Sequence, residues 1–168
     1  MTGKSFSVRI FLQDGHANGV RIVSRSKWSG RGLVIPRVCL AEEQGRAELS
    51  APGVYLLTET GVGAARPTLC IGAADPVCDG LARHATDDQS WSMAVVFTCK
   101  ENSLNLGQCQ SLAARLLQLA RSADKAEIIS ADCSEQPKLS TVESATVEIF
   151  LDHMLGLYPL FGVNVFEK

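Results

Sequence analysis

Two spacings of apolar residues run through this chain, one of period two and one of helical period. Ser7 to Leu12 alternates and is rich in β-formers. After the break Asp14-Gly15-His16-Ala17-Asn18-Gly19, the run Val20 to Ser24 matches it, which predicts a β-hairpin. Leu33-Val34-Ile35 is another short run, stopped by Pro36, and Arg37 to Glu48 reads as a short helix or an irregular link. Val54 to Leu57 and Leu69 to Ile71 then flank a connection holding Gly61, Gly63 and Pro67, a second hairpin. Trp91 to Thr98 is apolar at both parities, the mark of a central strand or one covered on both sides.

The helical spacing follows. Asp75-Pro76 announces a helix, because an Asp side chain can accept from free first-turn N–H groups and a first-position proline loses no helical bond. Cys109, Leu112, Leu116 and Leu119 fall on one face of a helix that Ser103 or Asn105 would cap and that runs to about Ser122. Glu127 to Ser130 is a short apolar run whose type the pattern does not fix, and Ala131 to Lys138 is a polar loop. Ser140-Thr141-Val142-Glu143 has the form of a capping box, opening a helix to about Leu157, before Pro159. The apolar tail Leu160 to Phe166 is expected to dock on the body. The predicted fold is α/β: a small, mainly antiparallel sheet of the Gly53, Leu69 and Met93 strands, flanked by helices. Residues 1–50 form an N-terminal β-hairpin extension packed on the core, and residues 51–168 one compact unit.

Composition changes this picture little. A chain of 168 residues can bury a core of its own, and 46% hydrophobic with 20% charged residues is ordinary for a soluble globule. No apolar run is long enough to span a bilayer, and the start, Met1 to Ser5, lacks an apolar signal core, so a cytoplasmic protein is expected. The six cysteines (Cys39, Cys70, Cys78, Cys99, Cys109, Cys133) lie inside apolar patterns with no Cys-x-x-Cys pair, which argues for core residues rather than zinc ligands. Charge is more informative. The net value is -2, yet residues 1–46 carry eight Lys/Arg against three acids, a local excess of +5. A basic end meets phosphates, or it is a solvated surface paired with the acidic remainder. Trp28, among Arg25, Lys27 and Arg31, is either a stacking platform for bases or a core anchor.

Gly53-Val54-Tyr55 and Cys70-Ile71-Gly72 stand on adjacent predicted strands, and Asp79-Gly80-Leu81-Ala82-Arg83-His84 on the helix that follows. Together these resemble the core of the GIY-YIG nuclease family, whose similar members continue from the second tripeptide into a helix ending Arg-Leu-x-x-His. The likeness extends upstream through Trp28 and downstream through Ala94-Val95-Val96-Phe97-Thr98. It implies a GIY-YIG-like domain and a metal-dependent cut of a phosphodiester. Two tyrosines act on the attacking water, a helix Arg steadies phosphate charge, a His one turn later assists proton transfer, and a Glu on the long helix holds the ion. Such a transition state needs fixed positive charge, and a hard cation needs oxygen ligands.

Carried over residue by residue, the first tyrosine is Tyr55, the second is Cys70, the Arg position is Gly80, the His is His84 and the Glu position is Ala113. Arg83, three residues past Gly80, is a candidate substitute for the lost cation. Loss of a phosphate clamp and a metal ligand removes about 2.7–4 kcal/mol of transition-state stabilisation for each such contact. The expectation is therefore a catalytically silent domain, without metal or other cofactor. It would act as a binding module for nucleic acid, through Arg21, Arg25, Lys27, Arg31 and Arg37, or for protein, including further copies of itself. Three rivals stand beside it: an active DNA endonuclease with a rearranged Mg or Mn site, a pure protein-interaction subunit, and a Cys70 thiol nucleophile beside His84. Tyr55 and His84 also read as satisfied structural residues.

Overall fold

The computed structural model describes residues 3–59, 66–86, 90–132 and 137–167. Strands β1 (Val8–Leu12), β2 (Arg21–Arg25), β3 (Gly30–Pro36), β4 (Gly53–Thr58), β5 (Thr68–Ala74), β6 (Met93–Cys99) and β7 (Glu127–Asp132) form one open sheet in the order β1-β2-β3-β6-β4-β5-β7. All neighbouring pairs are antiparallel except β5 and β7, which run parallel. Helices α1 (Leu40–Glu43), α2 (Val77–Ala85), α3 (Leu106–Ala123) and α4 (Thr141–Leu157) complete the α/β fold.

Both hairpins form where the turn residues fall, β1–β2 and β4–β5. The N-terminal hairpin widens the sheet, since β3 pairs along its whole length with β6. That places β6 between β3 and β4, and its seven residues are all buried, as their two-sided apolar pattern requires. The run at Glu127 resolves as β7. A parallel partner to β5 needs a crossover, which α3 provides.

The helix caps follow the sequence with one exception. Asn105 accepts from the Gln108 N–H while the Gln108 side chain accepts from the Asn105 N–H, and Ser140 and Glu143 repeat this reciprocal box at α4. At α2 the expected Asp75 cap is absent. Pro76 holds extended backbone angles, so the helix begins one residue later, at Val77, with no side-chain cap. The Val77 N–H instead donates to the Ala51 carbonyl at 2.9 Å, which ties α2 to the chain just before β4.

Strand alternation divides the interior in two. Val54, Leu56, Ile71, Ala73, Val95 and Phe97 point to the side covered by α3 and α4, in a core that also takes in Tyr158, Phe161 and the tail residues Val163, Val165 and Phe166. Tyr55, Leu57, Cys70, Ala94 and Val96 point to the other side, under α2, with Leu33, Ile35, Leu40, Leu81 and Trp91. Trp28 is a core anchor. Its ring is half-buried against the α3–α4 core, with centroids 4.9 Å from Phe150, 5.7 Å from His153 and 6.0 Å from Phe97.

Candidate functional site

Three of the residues singled out by the resemblance do converge. Tyr55 on β4 and Cys70 on β5 share the α2 side of the sheet, and His84 comes down on them from the last turn of α2. The Tyr55 hydroxyl and His84 Nε2 are hydrogen-bonded at 3.3 Å, with ring centroids 5.6 Å apart. Cys70 Sγ lies 4.0 Å from the same nitrogen. The Trp91 indole N–H donates to the His84 carbonyl at 3.1 Å, and Arg37 donates to the carbonyls of Trp91 and Ala85, both at 3.2 Å. The Arg37 guanidinium also lies 4.4 Å from the Trp91 ring centroid, so Arg37 and Trp91 together hold the end of α2 in place.

The cluster is shut. Tyr55 is 0% exposed, Cys70 3% and His84 9%. The cause is Gly80, one turn before His84. A Cβ built there would stand 2.6 Å from Tyr55 Cε1 and 2.9 Å from Ala74 Cβ. Only a residue without a Cβ lets α2 come this close to β4 and β5. Phenol, thiol and imidazole thus form a packed polar set inside an apolar layer. A nucleophile or general base must reach its substrate, and these groups are buried beneath α2.

The other carried-over positions do not join them. Arg83 is exposed, whereas Val77, Gly80, Leu81 and His84 make the buried side of α2, so Arg83 does not stand in for the missing cation. Ala113 is fully buried in the core of the opposite side, among the residues that α3 presents to the sheet. Among the described residues, no group of three or more His, Cys, Asp or Glu side chains is placed to hold a metal ion. The donor set around Tyr55 therefore does not fit the divalent ion that the resemblance implies. The Cys109 thiol, on α3 in the same opposite core as Ala113, is pushed up to about 12 by burial first and then by Asp75 and Cys99, so it stays protonated.

The five basic positions form no common surface. Arg21 and Arg25 lie at the same parity of β2 as the core residue Val23, on the α3–α4 side, while Arg31 shares parity with Leu33 and Ile35 on the α2 side. Arg21 donates to Met93 Sδ at 3.8 Å and sits 5.9 Å from the Phe161 centroid; desolvation lowers its pKa. Arg25 covers Phe6 at 3.5 Å and donates to the His153 carbonyl at 3.2 Å. Arg31 donates to Thr98 Oγ1 at 3.3 Å. Lys27, in the turn between β2 and β3, is the exposed member of the set. Most of these cations serve the fold. Sequence reading missed Arg9 and Lys100, which with Arg25, Ser7, Ser24 and Ser26 line an open groove of about 400 Å³. No local pattern could find it, because strand pairing alone brings residues 9 and 100 together. A second groove, about 410 Å³, lies at the other end of the sheet between Thr58, Met93, Lys125 and Phe161.

Comparison with protein families, with curated proteins and with solved structures gave no match for this chain. The GIY-YIG resemblance therefore rests on the quoted residues alone. No helix among the described residues is long and apolar enough to cross a membrane.

Proposed function

We propose that this chain is a GIY-YIG-like domain that has lost phosphodiester cleavage and works as a binding module, with protein as its partner. The observation that carries this reading is the closure of α2 over Tyr55 through Gly80, which leaves Tyr55, Cys70 and His84 buried and bonded among themselves. Ala113 lies in the opposite core, across the sheet from that cluster, so α3 brings no metal ligand to Tyr55 from this position. A protein partner is favoured over nucleic acid because Arg21, Arg25 and Arg37 spend their charge on aromatic rings and carbonyls within the chain. A second reading, contact with phosphate, draws on the groove of Arg9, Arg25 and Lys100.

Calorimetric titration of the chain with magnesium and manganese, followed by cleavage assays on plasmid and branched DNA, tests the first reading. The expected result is no saturable metal heat and no nicking. Metal binding together with nicking that disappears in Tyr55→Phe would overturn it. Salt-dependent DNA binding separates the partners. Affinity that falls steeply with salt, and that Lys100→Glu weakens, would transfer the role to the groove.

A further inference from the structure

β1 is one of the two edges of the sheet, and among the described residues no backbone pairs with its outer side. Its backbone phase is fixed by two bonds to the β2 side: the Gln13 N–H donates to the Val20 carbonyl and the Ser26 N–H to the Ser7 carbonyl. Odd-numbered residues of β1 therefore turn their N–H and C=O groups toward β2. Val8, Ile10 and Leu12 turn theirs outward, to the open edge.

Three of the five side chains along that edge are apolar and exposed. Phe11 is 57% exposed, Ile10 42% and Leu12 37%. Natural edge strands usually guard themselves with charges, prolines or bulges. The opposite edge, β7, begins at the charged residue Glu127. On β1 the only charge is Arg9, and its side chain points to the other face from Val8, Ile10 and Leu12.

We infer that β1 pairs antiparallel with β1 of a second copy of this chain, about a two-fold axis through Ile10, joining the two sheets into one. Backbone phase restricts the register to pairs of even-numbered residues. Centring on Ile10 satisfies this and uses the whole strand: Ile10 bonds with Ile10 of the second copy, and Val8 with Leu12. On one face the neighbours are then all apolar. On the other, Arg9 lies opposite Phe11 of the second copy, a cation over a ring. The alternative register centred on Arg9 sets two like charges directly opposite each other, which is unfavourable. Centring on Phe11 also pairs even-numbered residues, but it sets Val8 opposite Asp14, outside the strand, so the Ile10 register is the one that matches β1 to itself along its whole length. The pairing does not depend on whether the Tyr55 cluster is silent, and a C2 contact of this kind closes without forming fibres.

Light scattering coupled to size exclusion, on the full chain, gives the first test. The expected mass is twice that of the chain, falling to the single-chain value in Ile10→Lys with an unchanged circular-dichroism spectrum. The register is tested by oxidising Ile10→Cys, which should give a disulfide between the two copies of residue 10, identified by peptide mass. Leu12→Cys should not join to itself but should join to Val8→Cys when the two variants are mixed. A wild-type chain that is monomeric at every concentration reached overturns the inference. So does a dimer that survives Ile10→Lys, or a residue-12 self-pair. Should Ile10→Lys fail to fold, the Ile10→Cys disulfide decides alone: its formation supports the pairing and its absence under oxidation refutes it.

Discussion

The two sides of the sheet handle polar groups in opposite ways. Under α3 and α4 the layer is a broad aliphatic and aromatic core, from Val54 and Leu56 to Tyr158 and Phe166. Under α2 the layer is thinner, and among the described residues it holds the set of hydroxyl and thiol that meets at an imidazole, that of His84. The difference lies in how each helix meets the strands. α3 and α4 are long helices, each fixed by a reciprocal cap, and each lays a row of buried side chains against the sheet side of the molecule, from Leu112 and Leu116 on α3 to Phe150 and Met154 on α4. α2 has nine residues, no side-chain cap and a glycine at its contact point, so backbone meets ring. A nuclease site of the kind the resemblance implies would need contributions from both helices at one place. Here Ala113 and Tyr55 belong to different layers, separated by the sheet itself.

Ala113→Glu attacks this contrast most severely. It returns the residue the resemblance expects, but into a fully buried position. The expected loss of stability by urea denaturation is about 3–5 kcal/mol, the cost of an uncompensated buried charge. The sign with pH is a further check. Burial raises the folded-state pKa of such a carboxyl above its unfolded value of about 4.3, so the penalty is small in acid and grows as pH rises past that value. A variant that stays stable at neutral pH and gains magnesium binding would mean that position 113 faces the Tyr55 cluster after all.

Gly80→Ala is the next test, and there the sign matters more than the size. In an exposed helix interior the change would stabilise by about 1 kcal/mol. Against Tyr55 and Ala74 it should destabilise by about 1–3 kcal/mol through overpacking, measured as a shift in urea midpoint at constant slope. Stabilisation would show α2 riding higher than described, with room for a ligand beneath it.

The smallest expected effect belongs to Tyr55→Phe, which removes the hydroxyl bonded to His84 and keeps the ring. Loss of that bond should cost about 1 kcal/mol, within the 0.5–1.5 range of a single buried hydrogen bond. No loss at all would mean that the hydroxyl contributes nothing to holding α2, and that the two sides of the sheet differ in composition without differing in what binds them.

Much of this architecture is legible in local signals, because local signals are what make strands, turns and caps. The alternation at Val8 to Leu12 and Arg21 to Arg25, the glycines and proline between β4 and β5, and the Asn105 and Ser140 caps each act over a few residues. The two-sided apolar pattern of Trp91 to Thr98 likewise marks a central strand, which forms as Met93–Cys99. Asp75 misled because a side chain suited to capping does not cap unless the next residue enters the helix, and Pro76 stays extended. Residues 60–65, where Gly61 and Gly63 mark the hairpin connection, and Cys133 lie outside the described residues.

What the sequence determined by itself is the set of elements, their caps and the apolar faces they present. Those follow from backbone geometry and from burial at a fixed period, both of which are written locally. Which residues share a site was decided only in the tertiary structure. Strand pairing split Arg21 and Arg25 from Arg31 by parity, drew Arg9 to Lys100 across the sheet, and set Ala113 behind the strands that carry Tyr55 and Cys70. Gly80 is the plainest case. In the sequence it is a missing arginine, and in the folded chain it is the reason a helix can rest directly on Tyr55.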